Sequence, residues 1–294
     1  MIFFHKITLL LFFLFLCIQL THSSEVKTLT IILLTAPKKR PELTRTIEDL
    51  TEEMNNLPEG LVINEIVFVK GCVDECEHPE LDKAIETIRK NNPSIKITLP
   101  QYNPQPTDGI RFENWFYDSL ESVWPRNPDE PTDWSVDKYR KHMIINFFFL
   151  NAMKDVYKQG KCDYVLLSED DQTYKKNVFH KVYKLMNSQN KNRVFSKIAW
   201  EKSGKFGYRK EKEFTAQCVD TTVFGAWGTL RSMEELKIFL KWVKFSRINE
   251  SEDTLGYYLC KYLEGEVEVI KSSVHFGWSK RIPKKRRKLN DIKE

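Results

Sequence analysis

The chain has 294 residues, 41% of them hydrophobic and 13% aromatic, which excludes a disordered protein and leaves room for one large domain with a sizeable core. Its formal net charge of +5 is concentrated near the end: Lys280-Arg281 and Lys284-Lys285-Arg286-Arg287-Lys288 hold seven of the 46 bases, and the other 39 face 41 acids. The body is therefore near neutral and lacks the basic, aromatic-interleaved face that nucleic acid requires.

In chain order, Met1 to Lys6 is a short basic start to the apolar run Ile7 to Leu20, which is shorter than the ~20 residues of a spanning helix. Thr21-His22-Ser23-Ser24 then supplies small residues. Residues 1–23 read as a secretory signal cleaved after Ser23, or as an uncleaved anchor holding the protein in the Golgi. Either outcome puts the body in the lumen of the secretory pathway (Golgi or ER) or outside the cell. The expected division is a folded domain over 25–279 and a basic tail over 280–294, solvated or lipid-facing, so that only the anchor or the tail would touch a membrane.

Leu29 to Leu34 reads as a buried strand ending at Thr35-Ala36-Pro37. Pro41 opens a helix whose Leu43, Ile47, Leu50, Met54 and Leu57 keep helical spacing. Val62 to Val69 predicts a second strand, Leu81 to Lys90 a second helix, and Ile95 to Leu99 a third strand. This alternation implies a parallel sheet with right-handed crossovers, an α/β fold. Pro100 to Trp134 is too long for an idle connection. It carries Trp115, Trp124 and Trp134 with Phe112, Phe116 and Tyr117, and precedes a helix over Val136 to Tyr157. Aromatic faces suit apolar sugar faces; the competing reading packs these rings inward.

Val165-Leu166-Leu167-Ser168 then runs into Glu169-Asp170-Asp171. Ligands of open α/β sheets bind beyond the carboxyl ends of the strands, and carboxylates there are hard ligands suited to Mn²⁺ or Mg²⁺. The competing reading makes the acids caps of a helix starting near Lys175. Asp253 opens a helix over Thr254 to Leu263, and Val267 to Ile270 is the last strand, with His275 on a loop after it.

Five cysteines lie beyond Cys17. Cys72 and Cys76 close a small loop and are the expected disulfide; no second Cys or His pair accompanies them to make a zinc site. Pairing among Cys162, Cys218 and Cys260 is open, and one is left over. Asn249-Glu250-Ser251 is a glycosylation sequon.

These segments together resemble a GT-A glycosyltransferase, specifically the N-acetylglucosaminyltransferase IV family: Leu29 to Arg40; Lys138-Tyr139-Arg140-Lys141 leading into Tyr164 to Asp171; Val223 to Ser232; Glu252-Asp253-Thr254-Leu255; and Val274-His275-Phe276-Gly277. They span almost the whole chain after residue 23, which lacks the longer stem and C-terminal extension of full family members. The glycosyltransferase that adds N-acetylgalactosamine to glycosylphosphatidylinositol anchors shares the acidic triplet. The resemblance implies a GT-A fold and inverting, metal-dependent transfer of a sugar, N-acetylglucosamine first among candidates, from a UDP-sugar to a glycan or glycolipid acceptor. It assigns Asp171 and His275 to the metal, and Asp170 to a ribose or water-mediated contact. Glu169 would orient its neighbours or face the sugar, and Asp253 would be the general base. Thr35, Pro37, Arg40, Gly225 and Gly228 would line the donor, and Trp227 the acceptor; Trp115 and Trp124 are acceptor candidates from their aromatic faces rather than from the resemblance. Two other classes compete. A silent sugar-binding protein is disfavoured by the presence of Asp170, Asp171, Asp253 and His275; a two-metal phosphate-ester hydrolase is disfavoured by only six histidines, two of them His5 and His22.

Overall fold

A computed structural model describes residues 26–35, 42–71, 78–102, 136–199, 213–218, 228–246 and 252–275. Strand β1 (Lys27–Thr35) is followed by α1 (Leu43–Met54), β2 (Leu61–Lys70), α2 (Pro79–Asn91) and β3 (Lys96–Thr98). Next come α3 (Val136–Gln159), β4 (Tyr164–Glu169), β5 (Gln172–Tyr174) and α4 (Val178–Met186). The remainder is β6 (Arg193–Ala199), β7 (Glu213–Gln217), β8 (Thr229–Ser232), α5 (Met233–Ser246), α6 (Glu252–Tyr262) and β9 (Glu266–His275).

These strands form one sheet in the order β3-β2-β1-β4-β8-β6-β9-β5, with β7 also on β9. β1, β2, β3, β4, β6 and β9 share a direction; β5, β7 and β8 oppose it. The α/β class with a mostly parallel sheet flanked by helices, expected from the sequence, is the one observed.

Strand alternation explains the three layers. Leu29, Ile31 and Leu33 of β1 face one way, with Ile66 and Phe68 of β2 and Leu166 of β4, and are covered by α1, α2 and α4. Ile32, Leu34, Val67, Val165 and Leu167 face the other way, toward α3, α5 and α6. Central strands buried on both faces must read as continuous apolar runs, which is why β1 and β4 were legible.

Two details depart from expectation, and one pairing that the sequence left open is resolved. The acids do not cap a helix from Lys175: β5 intervenes, and α4 begins at Val178 after Asn177, whose φ is 63°. The last strand continues past Ile270 to His275, so that histidine ends a strand rather than sitting on a loop. Cys218 and Cys260 are joined, with Cα atoms 5.7 Å apart, and Cys162, left over among these three, is free and buried among the described residues. Residues 1–23, the basic tail, Cys72, Cys76, Asn249 and residues 103–135 lie outside the described residues. Among those described, no helix is long and apolar enough to cross a membrane.

Candidate functional site

β1 pairs with β2 on one side and β4 on the other. The chain leaves β1 outward through β2 and β3, then returns to the opposite flank, so the strand order reverses between β1 and β4. In open α/β sheets the crevice beyond the carboxyl ends at such a reversal is where ligands bind. Thr35 ends β1 and Glu169 ends β4. The parallel register sets Leu34 beside Glu169 and brings Thr35 level with Asp170. Thr35 Oγ1 donates to Asp170 Oδ2 at 3.2 Å.

Helix α1 holds the acidic turn from one side. Thr46, Asp49 and Glu53 fall three and four residues apart and so share a helix face. Thr46 Oγ1 donates to the Asp170 carbonyl at 2.8 Å, the Tyr174 N–H bonds to Asp49, and the Val178 N–H donates to Glu53 Oε2 at 3.0 Å. These three backbone groups on the path from β4 to α4 are thus satisfied by side chains of α1. Beneath the turn, Ser168 Oγ donates to Gln172 Oε1 at 2.8 Å and meets the Tyr174 hydroxyl. Burial pushes the Tyr174 phenol well above its ordinary range, so it stays a neutral partner in this cluster. Asp170 and Asp171 are 4% and 7% exposed, whereas Glu169 is half-buried.

The last strand returns to the same end of the sheet. His275 of β9 stands opposite Gln172 of β5, the residue after Asp171. The backbone therefore brings His275 beside the acidic turn, although 104 positions separate its number from that of Asp171. Gly228 has φ 70°, a conformation that favours glycine, and its N–H donates to the Leu167 carbonyl at 2.7 Å. That bond ties the start of β8 to the carboxyl end of β4. Asp253 lies in the first turn of α6, on the far face of the sheet from α1. The side chains of Asp253 and His275, together with Pro37, Arg40, Gly225, Trp227, Trp115 and Trp124, lie outside the described residues. Among described residues, no group of three or more His, Cys, Asp and Glu side chains is arranged to hold a metal.

Sequence reasoning missed His78, which is 7% exposed and places Nε2 2.7 Å from Thr35 Oγ1. Burial lowers its pKa below the ordinary value, against the opposing pull of Asp170. The only local signal was Pro79, which marks a helix start at the next position. It also missed two buried cations on the α5–α6 face. Lys197 donates to Thr229 Oγ1 at 2.9 Å, and the Arg231 guanidinium lies 5.0 Å from the Phe195 ring and 4.1 Å from the Phe239 ring.

The sequence matches no family model, and no curated protein matches it. Among solved structures, S. aureus TarS is 13% identical with a TM-score of 0.46, covering 83% of this chain; the match spans only 35% of the TarS chain. Mouse xyloside xylosyltransferase 1, apo form, is 12% identical over 81% of this chain and 82% of its own, with a TM-score of 0.43. The galactosyltransferase LgtC, in complex with donor and acceptor sugar analogs, is 12% identical over 82% of this chain and 72% of its own, at 0.38.

Proposed function

We propose that the chain is a metal-dependent inverting glycosyltransferase of GT-A type, moving a sugar from a UDP-sugar, UDP-N-acetylglucosamine first among them, onto a glycoprotein glycan in the secretory pathway. The observation that carries this reading is the buried Asp170-Asp171 turn beyond β4, at the strand-order reversal and bonded across it to Thr35. The motif resemblance supports it independently. The donor chemistry of Asp171 and His275, a carboxylate oxygen and an imidazole nitrogen, fits Mn²⁺ or Mg²⁺. Such an ion, when bound, neutralises the charge that develops on the diphosphate leaving group.

The chain's own residues then divide the work. Asp170, oriented by Thr35 and Thr46, meets the ribose or a bound water; Asp253 takes the proton from the acceptor hydroxyl as it attacks. The Cys218–Cys260 bridge supports an oxidising compartment, since disulfides are rare in the cytosol.

The test is to incubate the purified domain with Mn²⁺ and a panel of UDP-sugars and to follow UDP release with and without glycan acceptors. Release with UDP-N-acetylglucosamine and an N-glycan acceptor is the expected result. Release confined to UDP-N-acetylgalactosamine with a glycosylphosphatidylinositol acceptor would move the assignment to that transferase. Asp171→Asn should abolish Mn²⁺-dependent UDP binding without lowering the melting temperature; retained affinity would remove Asp171 from the metal site.

A further inference from the structure

Two hydrogen bonds in series join His78 to the acidic turn: Nε2 to Thr35 Oγ1 at 2.7 Å, and Thr35 Oγ1 to Asp170 Oδ2 at 3.2 Å. A threonine hydroxyl has one proton, and a carboxylate can only accept. The Thr35 proton therefore points at Oδ2, and its oxygen receives the proton on His78 Nε2. This selects the neutral Nε2–H tautomer and leaves Nδ1 bare. Nδ1 is buried and has no hydrogen-bond partner among the described residues. A second ring proton there would be an unpaired buried donor on a cation, which is strongly disfavoured.

The three side chains come from three places: the end of β1, the residue before α2 and the turn after β4. Thr35 is 1% exposed, His78 7% and Asp170 4%, so this chain of bonds is buried. If the Thr35 hydroxyl were released from His78, it would be free to turn its proton elsewhere, and Asp170 would lose a fixed donor on Oδ2. Thr46 holds only the Asp170 backbone, through its carbonyl.

We propose that His78 is a positioning residue of the donor site: through Thr35 it fixes the Asp170 carboxylate, and so sets affinity for the nucleoside diphosphate half of the donor. This rests on the glycosyltransferase reading above. His78 does not itself touch the donor. The imidazole acts by leaving the Thr35 hydroxyl a single orientation.

The test is calorimetric titration of UDP in the presence of Mn²⁺ into the wild-type domain and into His78→Phe, His78→Gln, Thr35→Val and the Thr35→Val/His78→Phe pair, with melting temperatures recorded for each. His78→Phe should weaken UDP binding roughly three- to tenfold, the equivalent of one hydrogen bond. Glutamine can present an amide N–H where Nε2 stood, so His78→Gln should stay within about twofold of wild type. Thr35→Val should match His78→Phe, and the double variant should be no weaker than Thr35→Val alone, because both changes break one chain. In turnover assays the loss should appear in donor KM, with kcat at saturating donor nearly unchanged. If the wild type binds UDP and His78→Phe binds it equally well, the proposal is overturned while the glycosyltransferase reading stands. If both His78 variants lose stability and glutamine restores nothing, His78 merely ties α2 to β1, and the proposal again fails. If the wild type binds no UDP, both readings fall. Should His78→Phe not fold, His78→Gln against Thr35→Val decides the matter by the same contrast.

Discussion

The guanidinium of Arg231 fills the space that a side chain at position 256 would need: a Cβ on Gly256 would lie 2.7 Å from Arg231 Nη2. The end of a long side chain ordinarily yields to an added methyl group. This one is 2% exposed and packed against the rings of Phe195 and Phe239, so it has little room to withdraw. Gly256→Ala would gain about 1 kcal/mol of helix propensity, but overpacking of a filled site costs about 1–3 kcal/mol. The clash should win. A thermal scan should show a fall of a few degrees in Tm; a rise would mean that the guanidinium moves freely.

Asp49 predicts a pH dependence. Burial raises its pKa above the ordinary value of 3.8, Arg45 and the Tyr174 N–H partly oppose this, and Glu52 and Glu48 add to it. Its Oδ2 is buried and has no hydrogen-bond partner among the described residues. A raised carboxyl pKa means that the folded chain holds the proton more tightly than the unfolded one. Asp49 therefore favours folding most at low pH, and that contribution declines as pH rises from about 3.8 through the folded-state pKa. Asp49→Asn keeps an oxygen for the Tyr174 N–H and cannot ionise. Its Tm relative to wild type should be higher at pH 7 than at pH 4. An equal difference at both values would place the effect in packing rather than charge.

How much of this was readable from the chain depended on how local the cause was. β1 and β4 were legible because strands buried on both faces must be apolar throughout, and the acids after β4 followed from chain order. β5 was not: three residues, Gln172 to Tyr174, carry no period, and their pairing partner is the end of β9. The end of β9 was lost for a related reason, since Lys271-Ser272-Ser273 resembles a turn and extends as a strand only because β5 and β6 flank it. Helix α1 was found from its apolar stripe, but its polar stripe of Thr46, Asp49 and Glu53 looked like any solvated face until its partners were in place. His78 had no local signature, because its partners are at the ends of β1 and β4.

The Cys218–Cys260 bridge closes a separation of 42 residues between the end of β7 and α6. Loop closure of that length restrains the unfolded chain by about 3–4 kcal/mol. Both residues are fully buried, so their replacement also risks a void. Cys218→Ala/Cys260→Ala should lower Tm by several degrees, and wild type in strong reductant should approach the same value. Peptide mapping without reduction should recover the two segments linked. Recovery of Cys162 linked to either would overturn the pairing.

Asp253 offers the sharpest separation of chemistry from structure. It is the second residue of α6, in the first turn of that helix. A carboxylate in the first turn of a helix stabilises it by about 0.3–1 kcal/mol through the helix dipole, whatever else it does. If that were its whole role, Asp253→Asn would cost a degree or two of Tm and nothing in turnover. As the general base it would instead lose about 10²–10⁴-fold in turnover, because the amide cannot take the acceptor's proton. UDP affinity should be nearly unchanged, since the base acts on the acceptor and not on the nucleotide. We expect the second pattern, measured as kcat with acceptor saturating and as UDP affinity by calorimetry. Turnover within tenfold of wild type, with a lowered Tm, would return Asp253 to the helix terminus alone.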